Sequence, residues 1–363
     1  MAIYYISIMA LTGAGCLFAK KKDNKALVCY LTLSASVLIL IASFRYAVGF
    51  DYFSYRRIYE KVATQTFEEI IITRRSEPLL YLLCKIFCLM GCSYHTFLFC
   101  INTFLLIVAM RFIYQYSKLP WFSVYLYITL QFLAYNMNLV RQSVAVSFFL
   151  LAYPYIRERK LIPYTILIII GGLFHNSLFI MWPLYIFLPI KGSRKLFVGL
   201  TIITILGYIA FDPIFAIIQP IILKNYNNYS QSYFWQPSSI TYVIPSAMYT
   251  VLIYLFRDQI DPSRRSTYLN SAIYQCIITL FITKHFILER FAIYPFALSL
   301  LAIPEIIATY REKDRKQKIG YRQVMLLFLL FGAAYFFFAA VKGYHGVYPY
   351  ISLLKKSHSI PIN

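Results

Sequence analysis

Apolar residues in this chain run in blocks, separated by short polar turns. The blocks fall at 2–19, 26–44, 96–115, 120–136, 142–156, 161–174, 176–190, 195–211, 240–256, 267–284, 291–310 and 324–341. A helix needs about 20 apolar residues to cross the roughly 30 Å hydrocarbon layer of a bilayer. In lipid, backbone groups must be paired internally, which leaves helices or closed barrels. These blocks lack the apolar–polar alternation of barrel strands. The pattern predicts an all-α polytopic integral membrane protein of about twelve transmembrane helices, forming one domain over residues 1–363.

The polar turns set the orientation. Lysines and arginines cluster at 20–25, 157–160, 191–195, 257–265 and 311–322. With the amino terminus outside, all five clusters fall in the cytoplasm, as the positive-inside bias requires. Residues 78–92 are apolar but short, interrupted by Lys85 and preceded by Glu77-Pro78. Counting them as a span would invert everything downstream, so a re-entrant or interfacial helix is expected there. Residues 161–190 are broken by Gly171-Gly172 and His175-Asn176 and predict a hairpin of two short helices. Two large outer loops remain, 45–77 and 212–239, the second holding the polar, aromatic stretch Asn225–Tyr229. Residues 1–19 lack a basic leader and a small-residue cleavage site, which predicts a first membrane helix and not a cleaved signal. No internal repeat of the transporter kind is visible.

Composition agrees: 60% of residues are hydrophobic and only 13% charged, against about 25% in globular domains. The net charge of +21 would suggest nucleic acid in a soluble protein. Here cytoplasmic turns account for much of it, and no nucleic-acid partner is expected. Cys84, Cys88 and Cys92 repeat every fourth residue without a histidine at ligand spacing, and read as small buried hydrophobes. No metal or other cofactor is expected.

The topology gathers Arg45, Asp51, Glu77, Arg141, His175, His285, Glu289 and Arg290 at the outer side. Loop 45–77 also holds Arg56, Arg57, Arg74 and Arg75, against the charge bias. Each residue also has a plain structural explanation. Arg45 and Arg141 could snorkel to headgroups, and Asp51 could bridge to Arg45 or Arg56. Glu289-Arg290 could form a local ion pair, and His175 could cap a turn. Arginines at a bilayer surface otherwise suit phosphates, which guanidinium groups bind in bidentate, charge-assisted fashion.

The ordered motifs resemble one family. Arg45-Tyr46-Ala47-Val48-Gly49-Phe50-Asp51-Tyr52-Phe53-Ser54-Tyr55 is similar to the R-x-x-x-G-x-D-Y-x-x-Y signature of the EpsG/Wzy-like polysaccharide polymerases. Glu77-Pro78, Asn138-Leu139-Val140-Arg141-Gln142, Leu173-Phe174-His175-Asn176-Ser177, Arg290 with Tyr294, Gly343 and Tyr348-Pro349-Tyr350 resemble its later landmarks, in order. Phe50 departs from the threonine frequent at that position. The resemblance implies an inverting, metal-independent glycosyltransferase of the bacterial inner membrane. It would join undecaprenyl-pyrophosphate-linked oligosaccharide units at the outer face, and a flippase and a chain-length regulator would be its partners.

The chemistry then nominates residues. Charge on the departing pyrophosphate needs stabilising, and a preorganised donor supplies roughly 2.7–4 kcal/mol. With only 14 acidic residues in 363, arginine is the sensible substitute for a metal. Arg141 comes first, then Arg290 and Arg45. The acceptor hydroxyl needs a base, for which His175 and Asp51 rank equally, with Glu77 next. Gln142 and Glu289 join the substrate-binding set, and Tyr52, Tyr55 and Trp235 could stack on sugars. A flippase, an O-antigen ligase and a membrane acyltransferase remain as alternatives. The flippase predicts pseudo-repeats and cations at mid-depth, neither of which is seen.

Overall fold

The computed structural model describes residues 2–19, 23–223, 236–313 and 320–354. Lysines 20–22, the tip of the second outer loop with Asn225–Tyr229 and Trp235, and the basic run 314–319 lie outside the described residues. Helix makes up 82% of the structure, and no strand occurs among the described residues.

Helices α1 (Ala2–Ala19) and α2 (Asn24–Ser43) pack against each other, with the Asp23 carboxylate capping α2 by accepting the Lys25 amide at 3.1 Å. The chain then turns through Gly49, whose φ is +96° and whose Cα lies so close to Met137 that a Cβ would meet its carbonyl oxygen at 2.7 Å. Glycine is the residue that tolerates both. Two helices follow in the segment expected as the first outer loop, α3 (Tyr52–Thr64) and α4 (Phe67–Thr73), the latter opened by a Thr66/Glu69 capping box.

Helix α5 (Pro78–Leu89) is the expected short segment. Its 12 residues rise about 18 Å, short of the roughly 30 Å hydrocarbon layer. It packs on α3, and Lys85 donates to the Ala63 carbonyl at 3.0 Å near the end of that helix. The mid-helix charge thereby has a polar partner. Helix α6 (Tyr94–Tyr116) is long enough to span, and its start is capped by the Ser93 hydroxyl.

The expected single helix at 120–136 is broken. Helices α7 (Pro120–Thr129) and α8 (Phe132–Asn138) meet at Gln131, whose φ of 72° is left-handed and ends the ladder. The Tyr348 hydroxyl donates to Gln131 Oε1 at 2.7 Å and holds the break. All seven residues of α8 are buried, and the break aims its end at the first residues of α9 (Val140–Arg157).

Helix α10 (Leu161–Phe174) ends at His175, as expected, but the second arm of the hairpin is not a regular helix. It is a 3₁₀ segment, Asn176–Met181, followed by the single turn α11 (Leu184–Phe187). The two glycines let this arm fold onto α10: a Cβ at Gly171 would meet Leu178 at 2.4 Å, and one at Gly172 would meet Phe179 at 2.5 Å. Pro183, without an amide, then interrupts the arm.

Helices α12 (Arg194–Ile209) and α13 (Phe211–Leu223) are bent by 65° at their junction. Next come α14 (Val243–Leu255) and α15 (Pro262–Phe281). Helices α16 (Glu289–Phe296) and α17 (Ser299–Lys313) make a second bent pair, at 43°, before α18 (Tyr321–Val341). Four described helices are long and apolar enough to cross a membrane, or six if each bent pair is one span. The count of about twelve therefore exceeds what length and composition of the observed helices establish.

After α18 the chain returns across the 44–51 turn. The amides of Tyr46, Gly49 and Phe50 donate to the carbonyls of Ile351, Gly346 and His345 at 2.9, 2.9 and 3.2 Å. This return closes one side of the region where α3, α8, α9 and α16 meet.

Candidate functional site

Glu77 joins three parts of the chain. It sits just before α5, only 4% exposed. Arg141 Nη1 donates to its Oε2 at 2.5 Å. The Asn176 amide donates to its Oε1 at 2.9 Å, and His175 Nδ1 lies 2.9 Å from the same oxygen. Burial alone would raise its pKa. The His175 contact, the Arg141 guanidinium and the Asn176 amide outweigh that and hold the carboxyl at about 2.

A cavity of about 190 Å³ opens beside this cluster, lined by Asp51, Tyr55, Arg141, Gln142, His175 and Arg290 among others. Each wall comes from a different element. Asp51 precedes α3, where its amide donates to Asn138 Oδ1 at 2.9 Å. Tyr55, one turn later, accepts the Arg141 amide on its hydroxyl at 3.3 Å. Gln142 Nε2 donates to the Arg290 carbonyl at 2.5 Å, tying α9 to α16. Ser177 and Tyr294 hydroxyls bond at 2.7 Å and fasten the 3₁₀ arm to α16.

Burial pushes the Asp51 carboxyl above its ordinary range, against the pull of Arg290 and Arg141. Burial also pushes His175 below the usual imidazole value, against the pull of Glu77. Both His175 ring nitrogens and Arg141 Nε are buried without a well-aligned protein hydrogen bond among the described residues, so Nδ1 meets Glu77 as a 2.9 Å electrostatic contact. The cavity thus offers an imidazole nitrogen, a carboxylate and two guanidinium groups to whatever occupies it.

Three nominated residues lie elsewhere. Arg45 is 1% exposed and spent on backbone. Its Nη1 donates to the Ala42 carbonyl and its Nε to that of Val48 at 3.3 Å. Its guanidinium lies 5.9 Å from the Tyr52 ring centre, and Tyr52 is buried with it. Glu289 lines a second cavity, of about 40 Å³, where Tyr135 donates to its Oε1 at 3.1 Å and Tyr344 donates to the same oxygen. The bridge from Asp51 to Arg56 does not form; Arg56 pairs with Glu60 at 2.8 Å. His285 stacks on Phe215 with ring centres 4.2 Å apart, away from the cavity.

Two contributors carried no role in the sequence reading. Asn138 bonds Asp51 on one side and His345 Nδ1 on the other, at 3.2 Å. Its place three residues before Arg141 was the only signal. His345 gave none, because it reaches the site through the return after α18. Among the described residues, no group of three or more His, Cys, Asp or Glu gathers at metal-binding distance.

A helical membrane protein with a cavity lined by two arginines, a carboxylate and an imidazole is the class these features define. The model of the EpsG family matches residues 28–352, nearly the whole chain. The chain belongs to the EpsG family, a family of polysaccharide polymerases. No curated protein and no solved structure matches it.

Proposed function

We propose that this protein polymerises undecaprenyl-pyrophosphate-linked oligosaccharide units into a bacterial surface polysaccharide, at the outer face of the inner membrane. The observation that carries the reading is the Glu77 hub, which fixes Arg141 and His175 on one cavity with Asp51 and Arg290. The reaction forms a bond from an acceptor hydroxyl oxygen to the donor's anomeric carbon and breaks the bond from that carbon to pyrophosphate. Arg141 and Arg290 take the negative charge that develops on the leaving phosphate. The hydroxyl proton goes to His175 Nε2. Glu77 beside Nδ1 favours the tautomer that leaves Nε2 free to accept, and burial keeps the ring neutral near pH 7. Asp51 orients the hydroxyl, and attack opposite the leaving group inverts the anomeric centre without a metal. The twelve-span topology with the amino terminus outside belongs to this reading, with bent and short helices counted as crossings. Flippase and chain-length regulator would be its partners.

Deleting the gene in its host and running the surface glycan on a gel tests this. The expected ladder collapses to a single repeat unit on the acceptor, and Arg141→Ala in the membrane gives the same collapse. Loss of all glycan would point to flipping or ligation. An unchanged ladder with altered unit mass would point to a modifying transferase.

A further inference from the structure

The larger cavities lie at the opposite end of α9. One, of about 490 Å³, runs between α6, α9 and α10 and is walled by Phe112, Leu151 and Leu167. A second, of about 310 Å³, adjoins it and shares Tyr116, Pro154 and Glu158. Pro154 stands 13 residues after Arg141, so the groove begins about 20 Å along the helix from the catalytic cavity.

The mouth of this groove is cationic. Arg111 and Lys160 line the first cavity, and Arg157 and Arg159 the second. Glu158, the single carboxylate lining either cavity, is taken by Lys160 at 2.8 Å. Arg159 donates to the Tyr185 carbonyl at 2.9 Å and lies over the Tyr185 ring. Arg111 and Arg157 have no carboxylate within 4.0 Å among the described residues. Arg111 is the telling one. It stands five residues inside the end of α6, about 7.5 Å along the helix, and lines a groove walled in part by Phe112, Leu151 and Leu167. A cation at that depth is costly without an anion or water to receive it.

We propose that this groove is a binding site for an anionic membrane phospholipid. The acyl chains lie against the apolar walls, and the headgroup phosphate is held between Arg111 and Arg157. Basic pockets between membrane helices on the cytoplasmic side recognise anionic headgroups in this way. The site is separate from the glycan chemistry, and its test does not depend on that reading.

The test is thermal stability of the purified full chain in detergent micelles doped with phosphatidylglycerol or phosphatidylcholine. Phosphatidylglycerol should raise the wild-type Tm by several degrees over phosphatidylcholine. Arg111→Gln with Arg157→Gln should lose most of that gain while melting normally in phosphatidylcholine. Leu151→Trp, which fills the groove and leaves every charge in place, should lose it too. Arg194→Gln with Lys195→Gln removes two cations outside the groove and should keep it. The proposal is overturned if the groove variants keep the gain, if the control pair loses it equally, or if inorganic phosphate at matched concentration reproduces it.

Discussion

At the scale of single residues, Glu77 is the one whose environment makes the sharpest demand. Its carboxylate is buried and faces one guanidinium, one imidazole and one amide. The folded value of about 2 lies below the ordinary 4.5, so the group stabilises the fold above pH 4.5 and that contribution is lost as pH falls toward 2. The shift corresponds to about 3 kcal/mol. Tm measured between pH 3 and 6 should therefore fall with acid in the wild type and fall less steeply in Glu77→Gln. The same variant separates positioning from bulk loss of structure. Glu77 pulls the His175 pKa upward, so removing its charge should move the acid limb of the pH–activity profile to lower pH. Turnover should drop, by at most the roughly 10²- to 10⁴-fold that a positioned general base contributes. An acid limb that stays in place would remove His175 as the base.

At the scale of elements, the 44–51 turn controls where Asp51 stands. Gly49 has a left-handed φ and no room for a Cβ against the Met137 carbonyl. Gly49→Ala should destabilise by about 1–3 kcal/mol and weaken activity, because the strain falls beside the Asp51–Asn138 contact. Gly13→Ala is the matched control: nothing lies within 4 Å of its Cβ position inside α1, so stability should hold or rise. Paired melting curves and glycan ladders check both. How far such elements were legible depended on where their causes lie. The shortness of α5 was readable because Pro78 and Lys85 are local signals, and so was the break at His175. The break at Gln131 was not, because nothing near it forbids helix; its stabilising partner, Tyr348, comes 217 residues later. The loss of regular helix over 176–190 likewise depends on close packing against α10. At the site, Asp51, Arg141, His175 and Arg290 line one cavity. Arg45 and Tyr52 carry an equally prominent motif yet lie outside it, buried against backbone and each other. A motif marks a constrained position without saying whether the constraint is chemical or structural.

At the scale of the whole molecule, the orientation of everything after α5 rests on whether that helix crosses the membrane. Two observations argue that it stays on one side. Lys85 is satisfied by the end of α3, which would drag that outer-loop helix into lipid if α5 spanned. The Tyr59 hydroxyl of α3 donates to the Cys92 carbonyl at 2.7 Å, so the far end of α5 also lies against the outer-loop helix. Helix α6, with 23 residues, is then long and apolar enough to carry the chain across. In a variant with the native cysteines replaced, Met90→Cys should react with a membrane-impermeant maleimide in spheroplasts, whereas Lys118→Cys should react only after permeabilisation. The reverse pattern would place Arg141 and His175 in the cytoplasm with the downstream basic turns outside. The cavity would then face the wrong side of the membrane for joining units at the outer face. The same pattern would place the Arg111 groove in the outer leaflet.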